Sequence, residues 1–244
     1  MGYSRIVQYA TFTETYQYEN NLPPRRPRKT SVLIRKRIRA SKHMATKSRY
    51  AVQRAKTSFF RLVAHNVYHA RTVFFFTLTF AFDVSLRQGY RYLARFYALV
   101  CKYETQKSSS RPSYIAVPEI TKKGRLHFHV LFFNLPPEKV SNERNTRYFQ
   151  HLWRRGYLTV RAPYDRSIRI AGYMAKYMAK SFKNASVRAV RAYNCSRNIE
   201  KVRSYGSHSL HHDFSLFVDE TSLTSTQRYS TMYLGACIKK TYHQ

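Results

Sequence analysis

A chain of 244 residues, 43% hydrophobic and 16% aromatic, can bury the core of one medium domain with extensions or of two small domains. Its 44 Lys and Arg against 12 Asp and Glu give a net charge of +32, a self-repulsion that a polyanion would offset. No amphipathic membrane anchor stands out, so nucleic acid is the better partner than an anionic bilayer.

Cys101, Cys195 and Cys237 are far apart and form no CxxC pair, so neither a disulfide frame nor a zinc finger is indicated and a reducing, intracellular setting fits. Met1-Gly2-Tyr3-Ser4-Arg5 lacks the apolar segment of a signal peptide. The longest apolar run, Val73 to Phe82, is too short to span a bilayer and reads as a buried strand.

In chain order, residues 1–70 are expected to form a basic arm followed by a helix. No acidic residue lies between Glu19 and Asp83. Arg25, Arg26, Arg28, Lys29, Arg35, Lys36, Arg37 and Arg39 fall in that gap and are candidates for phosphate contacts. Pro23, Pro24 and Pro27 keep the arm extended. From about Ala45 to His69 the apolar residues Ala51, Ala55, Phe59 and Val63 recur at helical spacing. Residues 71–185 are expected to form an α+β domain. Val73 to Phe82 is a strand and Ser85 to Tyr103 a helix. Tyr114 to Ile120 and Arg125 to Phe133 make a hairpin around Thr121-Lys122-Lys123-Gly124. Asn142 to Arg155 is a helix, Tyr157 to Arg161 a strand, and Ser167 caps a helix reaching about Lys183. That order implies an antiparallel sheet of about five strands with helices packed on it. Residues 186–244 are a looser extension, with strand-like pieces at Phe214 to Val218 and Thr231 to Ile238.

Two constellations carry chemistry. In the strand 125–133, His127 and His129 flank Phe128, so the imidazoles share one face while Leu126, Phe128 and Val130 take the other. Glu119, across the hairpin, is the candidate third ligand, against the plainer reading of a surface pair with Lys122 and Lys123. Two imidazoles and a carboxylate suit Mg²⁺ or Mn²⁺, with the imidazoles favouring Mn²⁺. Such an ion polarises a scissile phosphate. His65 and His69 also stand at i, i+4, but without a nearby acid in the sequence they read as surface or packing residues.

The second constellation is Tyr173-Met174-Ala175-Lys176-Tyr177-Met178-Ala179-Lys180. On a helix Tyr173 and Tyr177 share a face, about 6 Å apart along the axis, with Lys176 and Lys180 at the same offset. Met174 and Met178 form an apolar stripe that seats the helix. A phenol of pKa about 10 is a reversible nucleophile at phosphorus, and a nearby lysine assists its ionisation. Helical tyrosines are commonly just core residues; the histidine pair upstream in the same domain favours the catalytic reading.

These residues resemble the HUH endonuclease superfamily, the rolling-circle replication initiators of small phages, plasmids and circular single-stranded DNA viruses. Phe76-Thr77-Leu78-Thr79-Phe80 looks like the family's first strand, and His127-Phe128-His129 like its histidine motif, with Lys122, Lys123 and Arg125 before it as candidate DNA contacts. Tyr173 with Lys176 and Tyr177 with Lys180 look like its Tyr-x-x-Lys motif in the doubled form of microvirus and plasmid initiators. The resemblance implies a ferredoxin-like fold, a metal-dependent nick of single-stranded origin DNA, a 5′-phosphotyrosine and a 3′-OH that primes synthesis. No GxxxxGK[ST] motif occurs, so a host helicase and polymerase are implied partners, with a bacterial cytoplasm as the setting. The rival readings are a two-tyrosine transposase or relaxase, and a non-enzymatic packaging protein with a basic arm.

Overall fold

In the computed structural model the described residues are 2–22, 49–104, 111–121, 123–136, 143–161, 168–181, 192–207, 214, 217–231 and 234–243. The basic-arm candidates between Arg25 and Arg39, together with Lys122 and Ser167, lie outside them. The backbone divides into two compact units, residues 1–44 with 201–244 and residues 45–200. The boundaries expected at residues 70 and 185 both fall inside the second unit.

That second unit has the expected α+β fold class. Its strands are β3 (Val73–Thr79), β4 (Ser113–Ile120), β5 (Leu126–Phe133), β6 (Leu158–Arg161) and β7 (Asn194–Cys195). They form one sheet in the order β6-β3-β5-β4-β7, and every pair is antiparallel. Its described helices are α1 (Arg49–His69), α2 (Leu86–Glu104), α3 (Glu143–Trp153) and α4 (Arg169–Ser181). Ser85 caps α2: its hydroxyl accepts from the Gln88 amide at 3.4 Å while Gln88 Oε1 accepts from the Ser85 amide at 3.2 Å, a capping box. The β4–β5 turn closes through Gly124, whose φ of 80° is strained for any residue with a Cβ.

One face of the sheet is the main core. Phe74, Phe76 and Leu78 of β3, Leu126, Phe128, Val130 and Phe132 of β5, and Leu93 and Phe96 of α2 are all buried in one cluster with Phe149 and Trp153 of α3. The alternation expected for β5 therefore holds, with the three residues Leu126, Phe128 and Val130 on the core side. Ile115, Val117 and Leu131 on the opposite face are buried too, and α4 packs against β4 and α1. With both faces covered, β4 and β5 read as nearly continuous apolar runs.

The first unit departs from the expected arm. Residues 4–18 form a hairpin of β1 (Ser4–Tyr9) and β2 (Phe12–Tyr18). The hairpin joins β8 (Arg203–Ser207), β9 (Leu223–Thr231) and β10 (Gly235–His243) in the order β8-β1-β2-β10-β9. Glu14 is buried there, accepting from Tyr9 at 3.1 Å and Tyr16 at 2.7 Å and pairing with Lys239 at 2.9 Å. Of the strand expected at 214–218, the described residues Phe214, Phe217 and Val218 lie in no strand, and the Val218 amide donates to the Phe214 carbonyl. The strand expected at 231–238 straddles the β9–β10 connection, because the two strands pair with each other.

Among the described residues no helix is long and apolar enough to cross a membrane. Phe128 is fully buried in the core between the two histidines. Phe128→Ala is expected to cost about 3–5 kcal/mol by chemical denaturation, and a loss below 1 kcal/mol would contradict this packing.

Candidate active site

The alternation of β5 puts His127 and His129 on the face that α4 covers. Antiparallel register sets Glu119 of β4 opposite His127, with Thr79 of β3 opposite it on the other side. His129 is paired with Val117 and Thr77 in the same way. His129 Nε2 lies 2.6 Å from Glu119 Oε2, and both side chains are largely buried. Glu119 thus sits inside the sheet's second layer and not on the surface of the turn. Lys123 and Arg125, by contrast, are exposed at that turn.

Helix α4 is seated by Met174 and Met178, both fully buried, and the Ser181 hydroxyl donates to the Pro118 carbonyl at the edge of the site. The apolar stripe read from the sequence therefore does its expected packing. The adjacent stripe, about 100° round the helix, turns Tyr173 and Tyr177 onto the histidine face. The Tyr177 ring stacks on the His129 ring with centroids 3.8 Å apart, and Tyr173 meets Phe75 edge-on at 5.6 Å. The two phenol oxygens are 2.7 Å apart, a hydrogen bond, closer than helical rise alone dictates because the rings tilt toward each other. Lys180 reaches across to donate to Glu119 Oε1. Lys176 is exposed.

The electrostatics follow from that packing. Burial alone would push the Glu119 carboxyl up, but hydrogen bonds from Lys180 and His129 and their charges outweigh it and hold the group below its ordinary value. Burial lowers the His129 imidazole against the opposing pull of Glu119. Burial likewise lowers His127, with Arg125 adding to the effect against Glu119. Burial raises the Tyr177 phenol, and Tyr173 and the Glu119 charge raise it further. At neutral pH the site therefore presents an ionised carboxylate, two neutral imidazoles and a protonated Tyr177. Neutral imidazoles with a carboxylate are the protonation states a divalent ion requires of its ligands. His129 Nδ1 is buried without a hydrogen-bond partner, so the ring is held by stacking and by Nε2 alone.

The donor types fit a divalent ion, but the three ligand atoms do not close to within 4.8 Å of one another. Among the described residues the group that does so is His65, His69 and Glu200. His129 Nε2 and Glu119 Oε2, at 2.6 Å, are nearer than two ligands of one octahedral ion, about 3 Å apart for bonds of about 2.1 Å. The sequence reading placed no acid near His65 and His69; Glu200, 131 residues beyond His69 in the chain, supplies it, and no local pattern could have shown this.

Lys180→Met removes one of the hydrogen bonds that hold the Glu119 carboxyl low. Its titration, followed by carbon-detected NMR of the side-chain carboxyl, is expected to move upward; an unchanged titration would contradict the pairing.

Compared with known proteins, the chain matches the family model of replication-associated protein ORF2/G2P over residues 73–182. The match covers the sheet from β3 to β6, both histidines, Glu119 and the whole of α4, and it supports a replication initiator with DNA as its partner. No curated protein and no solved structure matches the chain.

Proposed function

We propose that the chain initiates rolling-circle replication as an HUH-type endonuclease and strand transferase acting on single-stranded origin DNA through Tyr173 and Tyr177. The observation that carries this reading is the stack of Tyr177 on His129 beside Glu119, with the Tyr173 hydroxyl 2.7 Å from that of Tyr177. His129 and Tyr177, 48 positions apart in the chain, meet at one point, where a nucleophile and phosphate-polarising groups are both needed.

His127, His129 and Glu119 would hold Mg²⁺ or Mn²⁺, which when bound supplies Lewis-acid polarisation of the scissile phosphate. The remaining work falls to the protein. A phenol oxygen forms a bond to phosphorus as the bond from phosphorus to the 3′ oxygen breaks, and the phenol proton ends on the released 3′-OH. The Tyr173–Tyr177 hydrogen bond lets one phenol stabilise negative charge on the other. Lys180 offers a cation within reach of both Glu119 and the phosphate that would lie over it. Lys176, exposed one position before Tyr177, is placed for a phosphate contact away from Glu119. Two tyrosines permit alternate cleavage and joining, so the displaced strand can be closed by the second while the first remains linked.

Exposed Lys123 and Arg125 beside the site, and the acid-free stretch from residue 20 to 82, suit binding of the DNA backbone. A packaging protein would share the charge but has no use for a histidine–tyrosine stack; a relaxase or transposase would share the chemistry on a different DNA substrate.

A labelled single-stranded origin oligonucleotide with Mn²⁺ separates these readings. The expected result is a nick and an SDS-resistant protein–DNA adduct, both stopped by EDTA. Tyr173→Phe with Tyr177→Phe is expected to abolish the adduct. His129→Ala is expected to slow nicking by at least about 100-fold, since even outer partners of a metal site commonly matter by 10–100-fold. A double tyrosine variant that still forms the adduct would overturn the proposal, and gel retardation with no cleavage under any condition would favour the packaging protein.

A further inference from the structure

We propose a second metal site in the catalytic unit, formed by His65, His69 and Glu200, that takes Zn²⁺ or a similar late transition-metal ion and clips the end of the unit to α1. His65 and His69 stand one turn apart on α1, with ring centroids 4.5 Å apart. Imidazoles at i, i+4 reach the same point beyond the helix surface, which lets both bind one ion. His65 Nε2 is 3.5 Å from Glu200 Oε2, and one ligand atom from each residue lies within 4.8 Å of the others. In a tetrahedral zinc site with bonds of about 2.0–2.1 Å, neighbouring ligand atoms are about 3.4 Å apart. The His65–Glu200 edge already has that length, and His69, exposed at the end of its helix, needs only a side-chain adjustment to complete the face.

The position of Glu200 is fixed by the fold. Asn66, buried between the two histidines in sequence, donates from Nδ2 to the Glu200 carbonyl at 2.9 Å and accepts the Glu200 amide at Oδ1 at 3.1 Å. The same Nδ2 donates to the Leu62 carbonyl at 2.8 Å, which locks the Asn66 rotamer. A buried side chain thus clamps the backbone of the acidic residue onto the helix that carries the imidazoles. A surface ion pair needs no such clamp; a ligand set gains from it, because ordering its third member costs less at binding.

The donor set selects the ion. Two imidazoles and one carboxylate suit Zn²⁺, Co²⁺, Ni²⁺ or Cu²⁺, whereas Mg²⁺ prefers oxygen ligands and water. Glu200 is exposed and His65 partly so, leaving room for water as the fourth ligand. The ion would close a loop from α1 to residue 200 that encloses the whole sheet and α4, so its expected effect is on the stability of the unit that carries the tyrosines. The site shares no residue with the proposed catalytic cluster and stands whether or not the chain nicks DNA.

The test is Co²⁺ titration of the full-length chain without a histidine tag, read by the visible ligand-field band, in the wild type and in His127→Ala/His129→Ala. The expected result is a band of tetrahedral intensity in both, saturating near one equivalent in the double variant, removed by Zn²⁺ and accompanied by a rise in Tm with Zn²⁺. His69→Ala changes an exposed side chain and is expected to keep the wild-type circular dichroism while weakening Co²⁺ binding in the double-variant background at least tenfold. Glu200→Gln is expected to weaken it as well. Absence of the band from the double variant, or its full retention after His69→Ala, would overturn the site.

Discussion

Glu119 is the point on which the arrangement turns. In a chain of net charge +32, this carboxylate is taken into the layer between a sheet and a helix and held ionised there by His129 and Lys180. An unpaired carboxylate at such a depth would be expensive. Its two partners come from β5 and α4, so the charge ties three elements together at the place where the phenols and imidazoles meet. The same contact sets protonation states, keeping the carboxylate charged and opposing the ionisation of Tyr177.

The second face of β5 makes this possible. A strand covered on both sides has one row of side chains for the main core and another for a site. Leu126, Phe128, Val130 and Phe132 fill the first row, and the large buried rings around Phe128 and Phe132 hold the strand rigidly. The second row is then free to carry polar groups where the cover thins. β3 follows the same logic: Phe74, Phe76 and Leu78 are buried, while Phe75, Thr77 and Thr79 on the other face are only partly so.

The chain also extends beyond the segment that the family model matches. The residues matched by the replication-associated family end at 182, yet the first compact unit is a full five-stranded sheet built from both chain ends. Its edge strand β9 is exposed along nearly its whole length and is rich in Thr, Ser, Gln and Arg. Polar side chains and a cation are what keep an open sheet edge from pairing with other chains.

Sequence by itself determined most of the strands and helices of the second unit and the direction of its key side chains. Period-two alternation in 126–133 fixes which residues share a face with the histidines, and the i, i+4 stripes of α4 separate Met174 and Met178 from Tyr173 and Tyr177. These are local consequences of backbone geometry and need no knowledge of the rest of the chain. What lay beyond reach was everything made by pairing across long separations. The hairpin of β1 and β2 joins β10 some 220 residues later, and its short, mixed strands carry no clean period to announce it. The charged stretch of the basic arm begins only after Glu19, and residues 4–18 before it pair as a hairpin. The hairpin already made Glu119 the candidate partner of the histidines, whereas tertiary structure alone decided that Lys180 comes to Glu119 and that Glu200 comes to His65. Both contacts depend on how separate elements dock, and docking is settled by the sum of many burials, which no single motif records.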